Sequence, residues 1–410
     1  MTIIKGIIAS IVVIVKGILL ILEMIIKLPI WLIGEIASDI RLKKEKEEEA
    51  PADGRKKYFW EPAISSPRKY PVEVFKAGFI LDQEPNKEGN VRVRSYFGPD
   101  AMGGGMGIEK STATDEGYRV ELPRYIEALW ISYAENQVYY LYEELPYDEI
   151  ERQFGEGYDF YEDRNSEPKK VNFDVINLCF LPEGKVALYL NGTRRTILLD
   201  WSAQGKATDE FNDVICEEHE IIQPFDEYAD RMLKENPYIE VEREISMGEV
   251  LDKYFEKYTY EIRFEFEKES TPFVWAKEEY ANGEMLCSRN RTKVTSIQRP
   301  ARLKYYELSW YAGGYEYSGE LWFQEEEMLH LFDEAYGEDR MQEGVLLIAY
   351  SEENESFEVT LQVGGKKYAF EKTEVWISKI PEVLETDGKA QRERVFKNFE
   401  GDNRNEFRVK

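Results

Sequence analysis

Apolar and polar residues alternate between Ile126 and Gly192 in a pattern that predicts two antiparallel β-hairpins. The segment IEALWISY carries apolar residues on both of its faces, which is typical of a strand covered on both sides. The turn AENQ separates this strand from VYYLYEEL, and PEG separates FDVINLCFL from KVALYLNG. The segment RRTILLDW predicts one more strand. Short turns between strands favour antiparallel pairing throughout this part of the chain.

A short amphipathic helix is predicted between the two hairpins, in PYDEIERQFGEG. Pro146 is suited to the first turn of a helix, and Ile150 and Phe154 lie four residues apart on one helical face. One short helix within strand-rich sequence predicts an α+β fold that is mainly antiparallel β.

The same order of elements recurs roughly 180 residues later, as expected for a repeated unit. LKYYELSWYAGGYEYSGELWFQEEEMLHLF is followed there by VLLIAYSEENESFEVTLQVGGKKYAF. Sliding the two copies onto each other pairs Tyr133 with Tyr311 and Ile150 with Met328, and a small change of register then pairs Leu188 with Leu361. We interpret this pattern as a diverged tandem duplication. It predicts two similar β-rich domains with one short helix each.

Helical patterns separate the two copies. PFDEYADRMLKENP is bracketed by prolines, and SMGEVLDKYFEKY has apolar residues at helical spacing. The predicted segments are an anchor helix at 1–40, a charged linker at 41–57, a first β-rich repeat at 58–205, a helical connector at 206–257, a second β-rich repeat at 258–380 and a polar tail at 381–410.

The first 40 residues predict a membrane anchor. On a helical wheel Lys5, Lys16, Glu23 and Lys27 fall within roughly 40° of one another, and Ile, Val and Leu occupy the rest. One interpretation is a transmembrane helix whose charged stripe faces protein or water. A helix lying in the membrane interface is the second, and a buried helix of a soluble domain is the third.

The linker that follows the anchor bears on membrane orientation. It is rich in Lys and Arg, whereas only Lys5 precedes the apolar segment. The positive-inside rule therefore predicts an inner-membrane protein whose larger part is cytoplasmic, with the periplasmic side as the alternative.

Charge is distributed unevenly along the chain. Residues 58–410 contain 43 basic and 72 acidic residues, which gives this part a net charge of −29. A field of this sign repels nucleic acid and attracts basic partners.

Cysteine and histidine are too few for a predicted metal or cofactor site. The three cysteines are isolated, and Cys216 with His219 forms a lone C-x-x-H that lacks two further ligands. We expect no metal and no cofactor.

The sequence contains no recognisable catalytic set. The loop PDAMGGGMG lacks the helix and the Lys-Ser/Thr that a phosphate-binding loop needs, so it is interpreted as a mobile loop. Asp148, Glu149 and Glu151 are typical of a solvated helix face. We expect a protein that is not an enzyme.

The segment from Tyr58 to Trp201 resembles the bacterial domain-of-unknown-function family 2931. The resemblance rests on FWEPAISSPRKYPVEV, MGGGMG, LPRYIEALWISYAENQVYYLYEELPYDEI and INLCFLPEGKVALYLNG. It implies an uncharacterised protein of the bacterial envelope, where many relatives are predicted lipoproteins. This chain lacks the lipid-attachment cysteine of those relatives and carries an apolar anchor instead. The family brings no catalytic residues, and acidic proteins of this kind are suspected immunity factors.

Two hypotheses follow. The first is a membrane-anchored acidic binding protein, such as an immunity or inhibitor protein that caps a basic toxin or effector. Its candidate contact residues are Tyr139, Tyr140, Tyr142, Tyr315, Tyr317 and Trp322. The second is a structural or scaffolding component of the envelope, a homo-oligomer in which Lys16 and Glu23 pair between anchor helices.

Overall fold

The computed structural model describes most of the chain from residue 56 onward. The described residues are 56–81, 93–96, 105–108, 110–111, 119–160, 169–209, 221, 223–237, 239, 241, 247–266, 273–289, 299–350, 357–381 and 393–397. The predicted anchor at 1–40, with Lys5, Lys16, Glu23 and Lys27, lies outside them. No helix in the described part is long and apolar enough to cross a membrane.

The chain divides into two compact units. One includes the described residues 56–58 and 119–121, in which Tyr58 and Val120 form an antiparallel bridge. The other contains every element described below.

This second unit is mainly β, with a few short helices. The strands before the connector are β1 (Glu61–Ser65), β2 (Val72–Ile80), β3 (Val93–Tyr96), β4 (Lys110–Ser111), β5 (Tyr125–Ser132), β6 (Gln137–Glu144), β7 (Tyr158–Phe160), β8 (Lys169–Val171), β9 (Val175–Phe180), β10 (Lys185–Gly192), β11 (Arg195–Gln204) and β12 (Lys206–Thr208). The strands after it are β13 (Tyr260–Phe266), β14 (Phe273–Tyr280), β15 (Met285–Arg289), β16 (Leu303–Ala312), β17 (Tyr315–Trp322), β18 (Gly344–Tyr350), β19 (Phe357–Val363), β20 (Lys366–Phe370), β21 (Glu374–Pro381) and β22 (Glu393–Lys397). The helices are α1 (Tyr147–Glu156), α2 (Phe225–Glu235), α3 (Met247–Phe255) and α4 (Glu325–Tyr336).

The helices lie where the apolar spacing predicts them. α1 buries Ile150 and Phe154, and α4 buries Met328, Phe332 and Tyr336. The connector contains α2 and α3.

The strands form one wide sheet and three smaller ones. Sheet 1 has the order β22-β21-β17-β16-β14-β15-β11-β10-β9-β1-β4, sheet 2 has β12-β6-β5-β2-β3, sheet 3 has β13-β18-β19-β20, and β7 pairs with β8.

One strand order occurs twice. Sheet 2 runs β12-β6-β5-β2-β3, and part of sheet 1 runs β21-β17-β16-β14-β15. The run β1-β9-β10-β11 likewise matches β13-β18-β19-β20, and in both runs the first pair is parallel and the others are antiparallel. We call sheet 2 with β1-β9-β10-β11 the first sandwich, and β21-β17-β16-β14-β15 with sheet 3 the second sandwich.

A tryptophan lies between the two layers of each sandwich. Trp130 stacks on Tyr139 with ring centroids 5.5 Å apart and reaches Phe180 at 4.8 Å. Trp310 stacks on Tyr317 at 5.4 Å and reaches Tyr350 of sheet 3 at 4.7 Å. Beside each tryptophan the neighbouring strand, β2 or β14, has a β-bulge.

These tryptophans correct the register of the sequence comparison. Trp130 faces Tyr139 and Trp310 faces Tyr317, so the two tryptophans are equivalent. Tyr133 then lies in a turn, whereas Tyr311 lies in β16. Their predicted pairing is wrong because the turn at 133–136 is longer than the turn at 313–314.

The sandwiches are joined where β11 meets β15. The pairing covers only Arg195 with Leu286 and Thr196 with Met285. Beside it, the Tyr189 hydroxyl donates to the backbone oxygen of Asn282 at 2.5 Å.

Helix α3 contacts both sandwiches. Leu251 packs in an apolar cluster with Cys179, Ala187 and Tyr189 of the first sandwich. On the second sandwich, the Tyr254 hydroxyl donates to Glu325, and Lys253 Nζ lies 3.1 Å from Asp333 Oδ2. The connector therefore reinforces the short strand pairing.

We predict that Gly283→Ala destabilises the protein by about 3 kcal/mol. An alanine there would have to adopt a left-handed backbone conformation, and its Cβ would also overpack the interior. Gly283 has φ +82°, and a Cβ there would lie 2.4 Å from the Met106 carbonyl oxygen. Gly365→Ala is the matched control, because Gly365 has φ +78° with no atom within 4 Å of the added Cβ. It should cost only about 1 kcal/mol in urea unfolding. Equal losses would show that the joint does not depend on this close approach.

Candidate functional site

The six aromatic residues predicted as contacts have different surroundings. Tyr317 and Trp322 are 8% and 7% exposed and belong to the buried interior. Tyr139 stacks on Trp130, and its hydroxyl donates to Glu135 at 3.0 Å. Tyr315 is partly exposed, with Lys379 Nζ 4.9 Å from its ring centroid.

Tyr140 and Tyr142 lie on the opposite face of sheet 2, away from Trp130. Tyr142 is 54% exposed, and its ring stacks on Tyr125 with centroids 5.8 Å apart and planes at 18°. Tyr140 is partly buried, and its hydroxyl donates to Glu127 at 3.3 Å. Tyr142 is thus the predicted contact residue with the most accessible ring.

Two glutamates complete this surface. Tyr125 lies opposite Glu144, and Tyr142 lies opposite Glu127, across the β5–β6 pair. We call Tyr125, Glu127, Tyr142 and Glu144 the acidic tyrosine patch. Of these four residues only Tyr142 is predicted from the sequence, because the other three become its neighbours through strand register.

Carboxylates outnumber basic groups at the patch. Lys76 Nζ lies 2.8 Å from Glu127, but no described residue forms an ion pair with Glu144. Asp148 on α1, just after β6, adds an exposed carboxylate. Glu149, by contrast, pairs with Arg152 at 2.6 Å. The patch can therefore attract a cation through both carboxylates and aromatic rings.

The equivalent surface of the second sandwich is buried. The register places Tyr305, Glu307, Glu320 and Trp322 where the first sandwich has Tyr125, Glu127, Tyr142 and Glu144. Tyr305 is 4% exposed and donates to Glu307 at 3.0 Å and to Glu320 at 3.1 Å. Burial and these two carboxylates raise the pKa of Tyr305 well above its ordinary value.

A lysine lies over that buried tyrosine. Lys277 Nζ is 5.7 Å from the Tyr305 ring centroid, and Lys277 lies opposite Glu307 in the sheet while its ammonium forms an ion pair with Glu279. In the first sandwich, Gly78 lies opposite Glu127 at the corresponding place. The second sandwich thus places a lysine over its tyrosine, whereas the first has glycine at that position and pairs Glu127 with Lys76 instead.

Helix α2 covers another part of the outer face of sheet 2. Its Tyr228 hydroxyl donates to the buried carboxylate of Glu73 at 2.8 Å, and Tyr133 donates to the same group. Burial, followed by the Glu73 charge, raises the pKa of both tyrosines. These residues hold the connector on the sheet and are not accessible to a partner.

A buried arginine links the connector to the second sandwich. Arg302 is fully buried, and its guanidinium lies 2.7 Å from Glu256, contacts Asp333 and donates to the backbone oxygen of Lys253. Its Cζ lies 4.7 Å from the Tyr258 ring centroid. Because every contact is internal, the cluster has a structural role. The amino-acid sequence does not reveal this cluster, since no local pattern identifies a buried arginine.

The end of the glycine-rich loop packs inside the structure. Gly107 has φ +69°, and a Cβ there would lie 2.5 Å from the Gly283 backbone oxygen. Asn191 Nδ2 donates to the Gly107 oxygen at 2.7 Å. The interpretation as a mobile loop is therefore wrong for residues 105–108, where glycine permits close packing. Asn191, Gly192 and Thr193 form an Asn-x-Thr sequence of the kind that is glycosylated, but Asn191 is 4% exposed and therefore unsuited to modification.

Potential metal ligands do not cluster within the described ranges, where no three His, Cys, Asp or Glu side chains come together. Cys216 and His219 lie outside these ranges. His330 is exposed, with Nε2 3.6 Å from Glu334. Burial raises the pKa of Cys179 to about 12.

Comparison with protein families matches residues 42–280, more than half of the chain, to a family described as "Protein of unknown function (DUF2931)". The chain belongs to this family. No curated protein and no solved structure matches it.

We predict that Arg302→Ala destabilises the protein by about 3–5 kcal/mol, because it leaves buried partners uncompensated. Arg340→Ala is the matched control. Arg340 also pairs with Glu256, but its side chain is 44% exposed, so its loss should cost at most about 1 kcal/mol. Urea unfolding measures both, and similar losses would show that burial of Arg302 contributes little.

We predict that the contribution of the buried tyrosines to stability is constant below about pH 10 and is lost as the pH rises above it. Burial raises the pKa of Tyr133, Tyr260, Tyr280, Tyr305 and Tyr306 in the folded protein. Unfolded tyrosines ionise near pH 10, so above that pH the unfolded state binds fewer protons and is favoured. Circular dichroism and phenolate absorbance should change together. Full phenolate formation with intact dichroism would contradict the prediction.

Proposed function

We propose that this protein is an acidic binding protein, rather than an enzyme, that is held at a membrane by residues 1–40 and caps a basic protein partner. The observation that carries the proposal is the acidic tyrosine patch, where exposed Tyr142 stacks on partly buried Tyr125 beside Glu127 and Glu144. Tyrosine is enriched at interface hot spots, and its ring face attracts cations.

The net charge of residues 58–410 and the position of Lys277 in the second sandwich also support a basic partner. Residues 58–410 carry 43 basic and 72 acidic residues, which favours encounter with cationic proteins. At the equivalent buried surface, Lys277 lies over Tyr305 beside Glu307. A lysine or arginine of the partner would likewise lie over a ring, the exposed one of Tyr142, with Glu144 as its carboxylate.

An immunity or inhibitor protein is the specific form of this proposal. Such a protein would block a basic toxin or effector at the inner membrane, on the cytoplasmic side favoured by the basic linker at 41–57. The periplasmic side is the alternative. Blocking requires a stable surface and no catalytic group.

The proposal includes a tandem duplication with domains at 58–205 and 258–380. The repeated strand order and the equivalent positions of Trp130 and Trp310 support it. After duplication, the first copy would keep an open patch while the corresponding surface of the second became buried. Partner binding would then belong to the first copy.

Affinity purification from the protein's own cells tests the proposal. The full chain should recover a specific basic protein that is released as salt increases, because screened charges hold it. Tyr142→Ala combined with Glu144→Lys should reduce its recovery at least tenfold. Glu326→Lys, an exposed charge reversal on α4, is the matched control and should leave recovery unchanged. Recovery of housekeeping proteins alone, or equal recovery by all variants, would contradict the proposal.

A further inference from the structure

The outer face of sheet 3 carries a partly exposed apolar stripe. In β18, Leu346 and Ile348 point into the core, whereas Val345, Leu347 and Ala349 alternate with them and are partly exposed. A strand that is apolar on both faces is ordinarily covered on both faces. Thr360 of β19 lies opposite Leu347 on the same surface. We call Val345, Leu347, Ala349 and Thr360 the β18 face.

The first sandwich shows what covers the equivalent surface. By topology β9 corresponds to β18, and the Cys179–Ala187 pair corresponds to the Leu347–Thr360 pair. Cys179 and Ala187 pack with Leu251 of helix α3, and Tyr254 and Phe255 of that helix pack against the same cluster. An amphipathic helix therefore covers this surface in one sandwich, and no described helix covers it in the other.

The dimensions of the β18 face suit a helix like α3. Four residue steps from Val345 to Ala349 span about 13 Å. Nine helical residues, the length of α3, also span about 13 Å.

The charged residues that border the β18 face are mostly acidic. Exposed Glu261 and Glu265 border it on β13, and exposed Glu358 borders it on β19. Arg263 pairs with Glu261, and Lys367 lies at the far edge on β20. Carboxylates thus predominate beside β18, and basic residues at the edges of a docked helix would complement them.

We infer that the β18 face binds a basic amphipathic helix of a protein partner. The apolar side of the helix packs on Val345, Leu347 and Ala349, and its Lys or Arg residues lie beside Glu265 and Glu358. This site lies on the second sandwich and is separate from the acidic tyrosine patch, so neither depends on the other.

A synthetic peptide of residues 246–257, held helical by a lactam bridge, is the probe, because this sequence covers the equivalent face in the first sandwich. A second version carries Glu249→Lys and Asp252→Lys. Fluorescence anisotropy with the full chain should show saturable binding, at least fivefold tighter for the lysine version.

Two variants of the full chain locate the binding. Leu347→Lys should weaken the lysine peptide at least tenfold, and Glu265→Lys, which leaves the core intact, should weaken it at least threefold. Met341→Lys is the control for added charge, since Met341 is 59% exposed and precedes β18. Circular dichroism checks that each variant is folded.

Three results would overturn the inference. One is the absence of saturable binding, and another is binding that both variants leave unchanged. The third is self-association of the chain that Leu347→Lys abolishes, since a second copy would then be the occupant. The affinity purification tests the acidic tyrosine patch alone, so its outcome does not depend on whether the peptide binds the β18 face.

Discussion

The close approach of backbone at the joint is the constraint on which the arrangement of both sandwiches depends. β11 and β15 pair over two residues each, too few to join two large layers alone. The joint therefore needs Gly107 and Gly283 in direct contact and the connector helix α3 packed on both sides. A side chain at either glycine would separate the surfaces that α3 and Tyr189 hold together. A loop without local structural signals thus becomes part of the interior.

Buried polar side chains mainly hold helices against the sheets. Glu73 receives hydrogen bonds from Tyr133 and Tyr228, which fixes α2 on sheet 2. Arg302 joins the end of α3 to α4 through Glu256 and Asp333. Buried ionic groups are costly unless each is paired, so these clusters tolerate little change. Tyr142 and Glu144, by contrast, are exposed and belong to neither cluster.

The two sandwiches share a strand order but use corresponding surfaces differently. The face around Tyr125 and Tyr142 is accessible in the first, whereas the face around Tyr305 and Glu320 is buried in the second. In the layer that contains β9 or β18, the first sandwich is the one that is covered. Helix α3 packs on β9, whereas the β18 face of the second sandwich is partly exposed. Each sandwich therefore presents one surface that its counterpart buries.

The sequence by itself determined the elements whose signals are local. Apolar spacing located α1 and α4 with their buried residues Ile150, Phe154, Met328 and Phe332, and the hairpins around AENQ and PEG follow from alternation and turn residues. Only tertiary structure decided that the pairing of Tyr133 with Tyr311 was wrong, because turn length and cross-strand stacking set the register. It alone placed Tyr125 beside Tyr142, buried Tyr317 and Trp322, and packed Gly107 against Gly283. Such contacts join residues that are distant in sequence, so no periodic pattern of residues along the chain indicates them.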